Sequence, residues 1–282
     1  MPLNSQTRNL IALALAEDIG TGDLTAESVV PESATASGTM LLKQPGVISG
    51  IEIVAAVFAT VDPAIRWTPQ ATNGTHYTDR TPLGEVTGPA RSILTAERTA
   101  LNFLQRLSGI ATATATYAAA VAGTSAVVVD TRKTTPGMRV LEKAAVRHGG
   151  GANHRMGLFD GVLIKDNHIA AMGGDAAIGQ IVRQARSLVP HTVRIEIEVA
   201  TLDQLALALQ AGADIIMLDN MDPDTMREAV RITDGRAILE ASGGITLATI
   251  GEIARTGVDL ISVGALTHSS PSLDISLDLT IA

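Results

Sequence analysis

The sequence contains no cysteine, which excludes disulfides, thiolate-bound zinc, iron–sulfur clusters and thiol nucleophiles together. A chain without disulfides suits a reducing compartment, so a cytoplasmic location is expected. Aromatics are scarce as well: with three Phe, two Tyr and one Trp, a planar ligand has to be held by charge and hydrogen bonds rather than between stacked rings. The opening MPLNSQTRNLIALALAED offers one Arg and a short apolar run from Leu10 to Ala16, too little for a signal peptide, and reads as an amphipathic helix. The one long uncharged stretch, Leu107 to Val129, contains six Ser or Thr and is punctuated by Gly123-Thr124-Ser125. It reads as an Ala-rich packed helix followed by a buried strand, and no membrane segment is expected. Positive charge is also in deficit: the net charge of −8 argues against a face that tracks a nucleic-acid backbone.

Against that acidic background one region is inverted. From Arg98 to His168 nine Lys or Arg stand against four Asp or Glu. Within it the stretch TRKTTPGMRVLEKAAVRHGGGANHRMGLFDGVLIKDNH sets its cations around a run of glycines, the pattern of an anionic small-molecule pocket.

At 282 residues the chain can form one (β/α) barrel or two modest domains. The first hundred residues show strand-like pieces at Gly38–Lys43, Gly46–Ser49 and Leu83–Val86 around a helical stretch, Ile51–Val61, an α+β layer. A helix follows from about Leu94 to Leu107, with Arg98 and Arg106 offset from its apolar face. Beyond residue 125 short apolar runs alternate with helix-period segments, which predicts parallel strands with helical crossovers. The runs are Ala126–Asp130, Gly161–Lys165, Arg194–Val199, Asp214–Asp219, Ala237–Ser242 and Leu260–Gly264.

Five of these runs end at or near a polar residue: Asp130, Lys165, Glu198, Asp219, and Glu240 with Ser242. In a barrel such strand ends converge on the mouth. Arg132-Lys133 offers a fork and a point charge for carboxylate or phosphate oxygens, against the plainer reading of a solvated pair. Gly149-Gly150-Gly151 before Asn153-His154-Arg155 would bring backbone close to a ligand, or form an ordinary flexible loop. Lys165 would meet an anion, act as an amine, or simply pair with a barrel acid. Glu198 and Asp219 are hard oxygen donors suited to Mg²⁺ shared with a phosphate, or else counter-charges for Lys133 and Lys165. Ser242-Gly243-Gly244 and Val263-Gly264-Ala265 expose backbone N–H groups at strand exits, as phosphate loops of barrels do. Asp166, Asn167 and His168 read as supporting loop residues, and His76, His191 and His268 as surface or satisfied positions.

At these residues the chain resembles the quinolinate phosphoribosyltransferase family. The resemblance is carried by ThrAlaGluArg (95–98), AspThrArgLysThr (130–134), GlyGlyGlyAlaAsnHisArg (149–155), LeuIleLysAspAsnHis (163–168), GluIleGluVal (196–199), MetLeuAspAsn (217–220), SerGlyGlyIle (242–245) and SerValGlyAlaLeuThrHis (262–268). It implies an α/β fold: an incomplete (β/α) barrel of parallel strands over residues 109–267, with an N-terminal α/β sandwich domain over 1–108 rejoined by the tail 268–282. It implies that quinolinate and 5-phosphoribosyl-1-pyrophosphate become nicotinate mononucleotide, pyrophosphate and CO₂ in NAD biosynthesis, with Mg²⁺ as cofactor and Lys133, Lys165, Glu198 and Asp219 as catalytic residues. By the same resemblance Thr131, Arg132, Lys133, His154, Arg155 and Lys165 bind the substrates, Glu198 and Asp219 lie by the ribose and metal, and the two glycine-bearing exits hold the 5′-phosphate. A homodimer or an assembly of dimers is implied, in which Arg98 completes the neighbouring site.

Three other readings stay open on sequence alone: a Schiff-base lyase or aldolase using Lys165, a paralogous phosphoribosyltransferase linked to molybdenum transport, and a non-catalytic anion-binding protein.

Overall fold

The computed structural model describes residues 3–282. Along the chain it forms α1 (Ser5–Ile19), α2 (Leu24–Val29), β1 (Thr35–Leu42), β2 (Gly46–Val47), α3 (Ile51–Val61), β3 (Arg66–Pro69), β4 (His76–Tyr77), β5 (Pro82–Pro89) and α4 (Ala90–Ala120). Then follow β6 (Val127–Val129), α5 (Arg139–His148), β7 (Val162–Ile164), α6 (Asp166–Ala171), α7 (Ile178–Leu188), β8 (Ile195–Val199) and α8 (Leu202–Ala211). The chain ends with β9 (Ile215–Asp219), α9 (Pro223–Thr233), β10 (Ile238–Ser242), α10 (Ile250–Ala254), β11 (Leu260–Ser262), α11 (Ala265–His268) and β12 (Ile275–Ile281). The predicted strands sit where the apolar runs are, usually shorter by a residue or two, and α3 has the predicted limits. The helix expected over 94–107 is much longer, because the Ala- and Thr-rich run carries α4 on to Ala120. None of the helices among the described residues is long and apolar enough to cross a membrane.

By contact the chain divides into two compact units: residues 1–115, 134–150 and 269–282, and residues 116–133 and 151–268. The first unit holds an antiparallel sheet in the order β12-β1-β5-β3. Alternation puts Met40 and Leu42 of β1 inside, and a register shift between β1 and β5 at Met40/Leu41 lets Leu83 turn inward with Val86 of β5; all four are fully buried, with Val54, Val57 and Phe58 of α3 likewise inside. The C-terminal strand β12 pairs with β1 in register from Ala36–Ile281 to Leu42–Ile275.

Segment 134–150 lies inside the expected catalytic span 109–267, yet it clusters with this first unit. A buried ion pair explains why. Arg106 of α4, expected on the solvated side of its helix, donates to Glu142 of α5 at 2.9 Å and to the Ser270 carbonyl at 3.0 Å. Glu142 is fully buried, so losing its partner would strand a charge. Gly149 closes the same packing: a Cβ there would stand 2.3 Å from the Ala111 carbonyl oxygen and 2.6 Å from Thr114 Cβ. This glycine serves helix packing, not the ligand approach expected of it.

The second unit is a parallel six-stranded sheet in the order β6-β11-β10-β9-β8-β7. The first strand pairs with the last, as closure of a barrel demands, but β6 and β7 do not pair. An isolated parallel bridge from Val129 to Ala152 stands beside β6 on that side. The result is the expected incomplete barrel, open at the one crossover whose helix, α5, clusters with the first unit.

Candidate active site

Period-2 alternation on the barrel strands sorts side chains into an outer set packed under the helices and an inner set. In β8 the outer set is Ile195, Ile197 and Val199, all buried, leaving Glu196 and Glu198 on the opposite face. The same rule puts Leu163 and Lys165 from β7, Met217 and Asp219 from β9, Glu240 and Ser242 from β10, and Ser262 from β11 together. These residues line a cavity of about 800 Å³, a volume suited to small ligands. Lys165, Glu198, Asp219 and Ser242 stand at or beside strand ends, and Leu163, Met217 and Glu240 lie two residues earlier on β7, β9 and β10.

Thr131, Arg132, Lys133, His154 and Arg155 join this wall, and so do Gly243, Gly244, Val263, Gly264 and Ala265. Every expected site residue from 131 onward therefore meets in one cavity, whose lining residues all belong to the second unit. Arg98, exposed on α4, is the one expected site residue that does not line it.

The cations are held in place by backbone and buried acid. Asp130, 0% exposed at the end of β6, accepts from Asn153 Nδ2 at 2.6 Å and from the His154 N–H at 2.9 Å. That fixes the loop carrying His154 and Arg155 against the strand carrying Arg132. Arg155 donates to the Gly161 carbonyl at 3.0 Å. Burial, and then the neighbouring Arg132, hold its guanidinium below the usual range, partly offset by Glu196 and Asp160. Two guanidiniums crowded this way form a ready seat for an anion. Thr131 accepts the Lys133 N–H at 3.0 Å, and Thr267 donates to the Lys133 carbonyl at 2.8 Å.

Lys165 stands exposed in the cavity, its Nζ 3.0 Å from Glu198 Oε2. His168 supports it from α6, accepting the Lys165 N–H at 2.8 Å. Asp219 accepts from Asn220 Nδ2 at 2.8 Å. Glu198 and Asp219 thus end adjacent strands, each with a second carboxylate oxygen for a cation. A separate group of possible metal ligands, His154, Glu196 and Glu240, lies one layer deeper, with its ligand atoms within 4.8 Å of one another.

At the exit of β10, Gly243 adopts φ +97° and Gly244 φ +59°. A Cβ at Gly243 would come within 2.2 Å of Asn220 Oδ1, so only glycine brings this turn so close to the β9 exit.

Three contributors were not singled out from the sequence as site residues, and a fourth has a different task from the one expected. Glu196 was passed over, although the IEIEV alternation puts it on the Glu198 face. Asn220 adopts φ +54° at the β9 exit and lines the cavity. His268, read as a surface position, also lines it, one helical turn beyond Gly264. Asp130 had been read as a strand-end acid facing the mouth; it is a buried anchor for the loop.

Comparison with known proteins agrees with this geometry. The family profile described as quinolinate phosphoribosyl transferase, N-terminal domain, matches residues 23–108, and its C-terminal domain counterpart matches residues 110–278. The nicotinate-nucleotide pyrophosphorylase [carboxylating] of Mycobacterium leprae (strain TN) is 44% identical over 278 residues, covering 96% of each chain. Quinolinate phosphoribosyltransferase [decarboxylating] 1b of Nicotiana tabacum is 41% identical over 288 residues, 96% of this chain and 82% of that one. The nicotinate-nucleotide pyrophosphorylase structure from Francisella tularensis superposes with a TM-score of 0.93 at 40% identity, covering 99% of this chain and 98% of that one. With both domains matched in order and the expected cations, acids and glycine turns gathered in one barrel mouth, this chain belongs to the quinolinate phosphoribosyltransferase family.

Proposed function

We propose that this protein joins quinolinate to 5-phosphoribosyl-1-pyrophosphate, giving nicotinate mononucleotide, pyrophosphate and CO₂, a step of NAD biosynthesis. The observation that carries the reading is the convergence of Arg132, Arg155 and Lys165 with Glu198, Asp219 and two glycine-bearing strand exits on one cavity. Quinolinate carries two adjacent carboxylates, and planar guanidiniums bind carboxylates in pairs of hydrogen bonds. Arg132, Arg155 and Lys165 clamp the dicarboxylate, Thr131 and His154 complete its wall, and Lys133 faces the departing pyrophosphate. The turns at Ser242-Gly243-Gly244 and Val263-Gly264-Ala265 present backbone N–H groups to the 5′-phosphate.

Glu198 and Asp219 lie on the sugar side, where carboxylates favour the positive charge that develops at the anomeric carbon. Their hard oxygens suit Mg²⁺, which binds few protein ligands and keeps waters and phosphate oxygens. Glu198 and Asp219 would hold the ion, and when bound it would supply neutralisation of charge on the leaving pyrophosphate. The pyridine nitrogen attacks the anomeric carbon as the bond to pyrophosphate breaks. The ring nitrogen, now cationic, takes the electron pair of the bond to the 2-carboxylate, CO₂ leaves, and the carbon takes up a proton. No organic cofactor takes part. The clamp is completed by Arg98 of the partner subunit, in a homodimer or an assembly of dimers, and the protein works in the cytoplasm.

A Schiff-base lyase is the reading to separate from this one, because Lys165 stands at a barrel strand end. The Glu198 carboxylate 3.0 Å away favours an ammonium counter-charge over a free amine. Incubation with quinolinate, the sugar diphosphate and Mg²⁺ is expected to release pyrophosphate with no borohydride-trapped adduct on Lys165. A trapped adduct without pyrophosphate release would overturn the transferase.

A further inference from the structure

A polar knot in the first unit has no part in the mechanism. Ser49, between β2 and α3, is 1% exposed and sits in a stretch of backbone that its neighbours fix. Its N–H donates to Ser108 Oγ of α4 at 3.0 Å, and the Ile48 N–H before it donates to the Thr75 carbonyl at 3.1 Å. Asn73 Oδ1 accepts the N–H groups of Gly50 and Ile51 at 2.9 and 3.2 Å. Against this rigid stretch α5 ends: His148, its last residue, places Nδ1 2.8 Å from Ser49 Oγ. The glycines 149–151 follow at once, and after them comes the loop carrying His154 and Arg155.

The pair is satisfied in one protonation state. Among the described residues the Ser49 hydroxyl has no other hydrogen-bond partner, and it is almost closed to water. It therefore donates to a lone pair on Nδ1, and the ring proton sits on Nε2. A second proton on the ring would turn Nδ1 into a donor, and the Ser49 hydroxyl would have to rotate and leave its hydrogen without an acceptor. Burial holds the His148 ring below the ordinary histidine value of 6.5; Glu52 opposes this and Arg147 adds to it. Those two charges come from the first turn of α3 and from α5 itself, whereas the loop before β4 brings the uncharged Asn73 and Gly74, and α4 the uncharged Ser108. Glu52 is exposed, so a protonated ring gains by turning outward to it and away from Ser49.

We propose that the Ser49–His148 hydrogen bond is a pH-sensitive latch: with a neutral imidazole it ties the end of α5 to the turn between β2 and α3, and protonation of the ring releases that end with the glycines behind it. Gly150, at φ +86°, has much conformational freedom to regain once its neighbour lets go. The latch acts on the approach to the loop that carries Arg155, not on the chemistry, and it stands whichever anion the clamp takes. Its effect on stability has a definite sign. The ring titrates lower in the folded protein than in the unfolded chain, so the unfolded chain binds more protons between the two values. The stability that the latch adds is therefore complete above pH 6.5 and is lost as pH falls through the lowered value.

The test joins ¹⁵N-histidine NMR, with the His148 signals identified by their loss in His148→Asn, to amide hydrogen exchange at Gly149 and Gly150. Their N–H groups donate to the Ala145 and Arg147 carbonyls at 3.0 Å, so their exchange reports release of the end of α5. The expected ring is the neutral Nε2–H form at pH 7.5, with a titration midpoint below 6.5 that rises in Ser49→Ala, where no hydroxyl favours the neutral form. Protection of the two glycines, corrected for the intrinsic pH dependence of exchange, should fall several-fold from pH 7.5 to pH 5.5. In Ser49→Ala it should already be low at pH 7.5 and change little. In His148→Asn, whose Oδ1 can accept the Ser49 hydroxyl and does not titrate, it should stay high throughout. A parental midpoint at or above 6.5, a midpoint unmoved by Ser49→Ala, or the same loss of protection in His148→Asn as in the parent overturns the proposal. Thermal melts read the same device over the whole molecule: the stability lost between pH 7.5 and pH 5.5 should be smaller in His148→Asn than in the parent, and equal losses contradict the latch.

Discussion

At the scale of single residues, the site works by contrast between what is anchored and what is exposed. Asp130 is buried and spends both oxygens on the His154 loop, whereas Lys165 stands exposed, with a carboxylate partner that a substrate anion can replace. Removing a cation that lines the cavity should therefore damage chemistry and leave the fold alone. Lys165→Ala or Arg132→Ala is expected to lower kcat/KM for quinolinate by roughly 10²–10³, the usual cost of one electrostatic contact to a developing charge. Melting temperatures should stay near that of the parent protein, and rates near normal would sink the clamp. These residues were legible in the sequence because a strand exit marks a side chain as facing the mouth. Glu196 was less so: its carboxyl lies one layer down, and only the alternation within IEIEV shows that it shares a face with Glu198. His268 was harder still, since a helix turn, not a strand end, aims it at the cavity.

At the scale of elements, apolar runs located all six barrel strands, because parallel strands buried on both faces are nearly continuous in hydrophobicity. What they did not show is which crossover helix packs where. Segment 134–150 looks in sequence like any other helix of the alternation. Its allegiance is set by a buried Glu142–Arg106 pair and by Gly149, none of which has a periodic signature. The glycine run drew attention for ligand binding, but the contact of Gly149 with α4 gives it a structural task. Gly149→Ala forces a Cβ to within 2.3 Å of the Ala111 carbonyl oxygen, so backbone must shift. Overpacking of this kind costs about 1–3 kcal/mol, and thermal or urea unfolding should show that loss. A variant as stable as the parent would mean that the α4–α5 packing is looser than described.

At the scale of the whole molecule, the fold and family were legible because ordered motifs span nearly the full chain, and the profiles for both domains bear that out. Assembly is a different matter, because it depends on surfaces that face no part of their own chain. Arg98 is exposed on α4 and does not line the cavity. If it completes the site of a second copy, Arg98→Ala and Lys165→Ala should each be inactive alone. Mixed with subunit exchange, they should regain up to about a quarter of parental activity per site, the share expected for random pairing in which one of two sites in each mixed dimer is intact. Exchange without recovery would place Arg98 outside the shared site. The central claim is tested most directly by supplying the purified protein with the sugar diphosphate, Mg²⁺ and quinolinate labelled in its 2-carboxylate. The account predicts one labelled CO₂ for each pyrophosphate and each nicotinate mononucleotide formed, and no turnover when nicotinate replaces quinolinate. Nucleotide formation from nicotinate, or pyrophosphate release without CO₂, would contradict it.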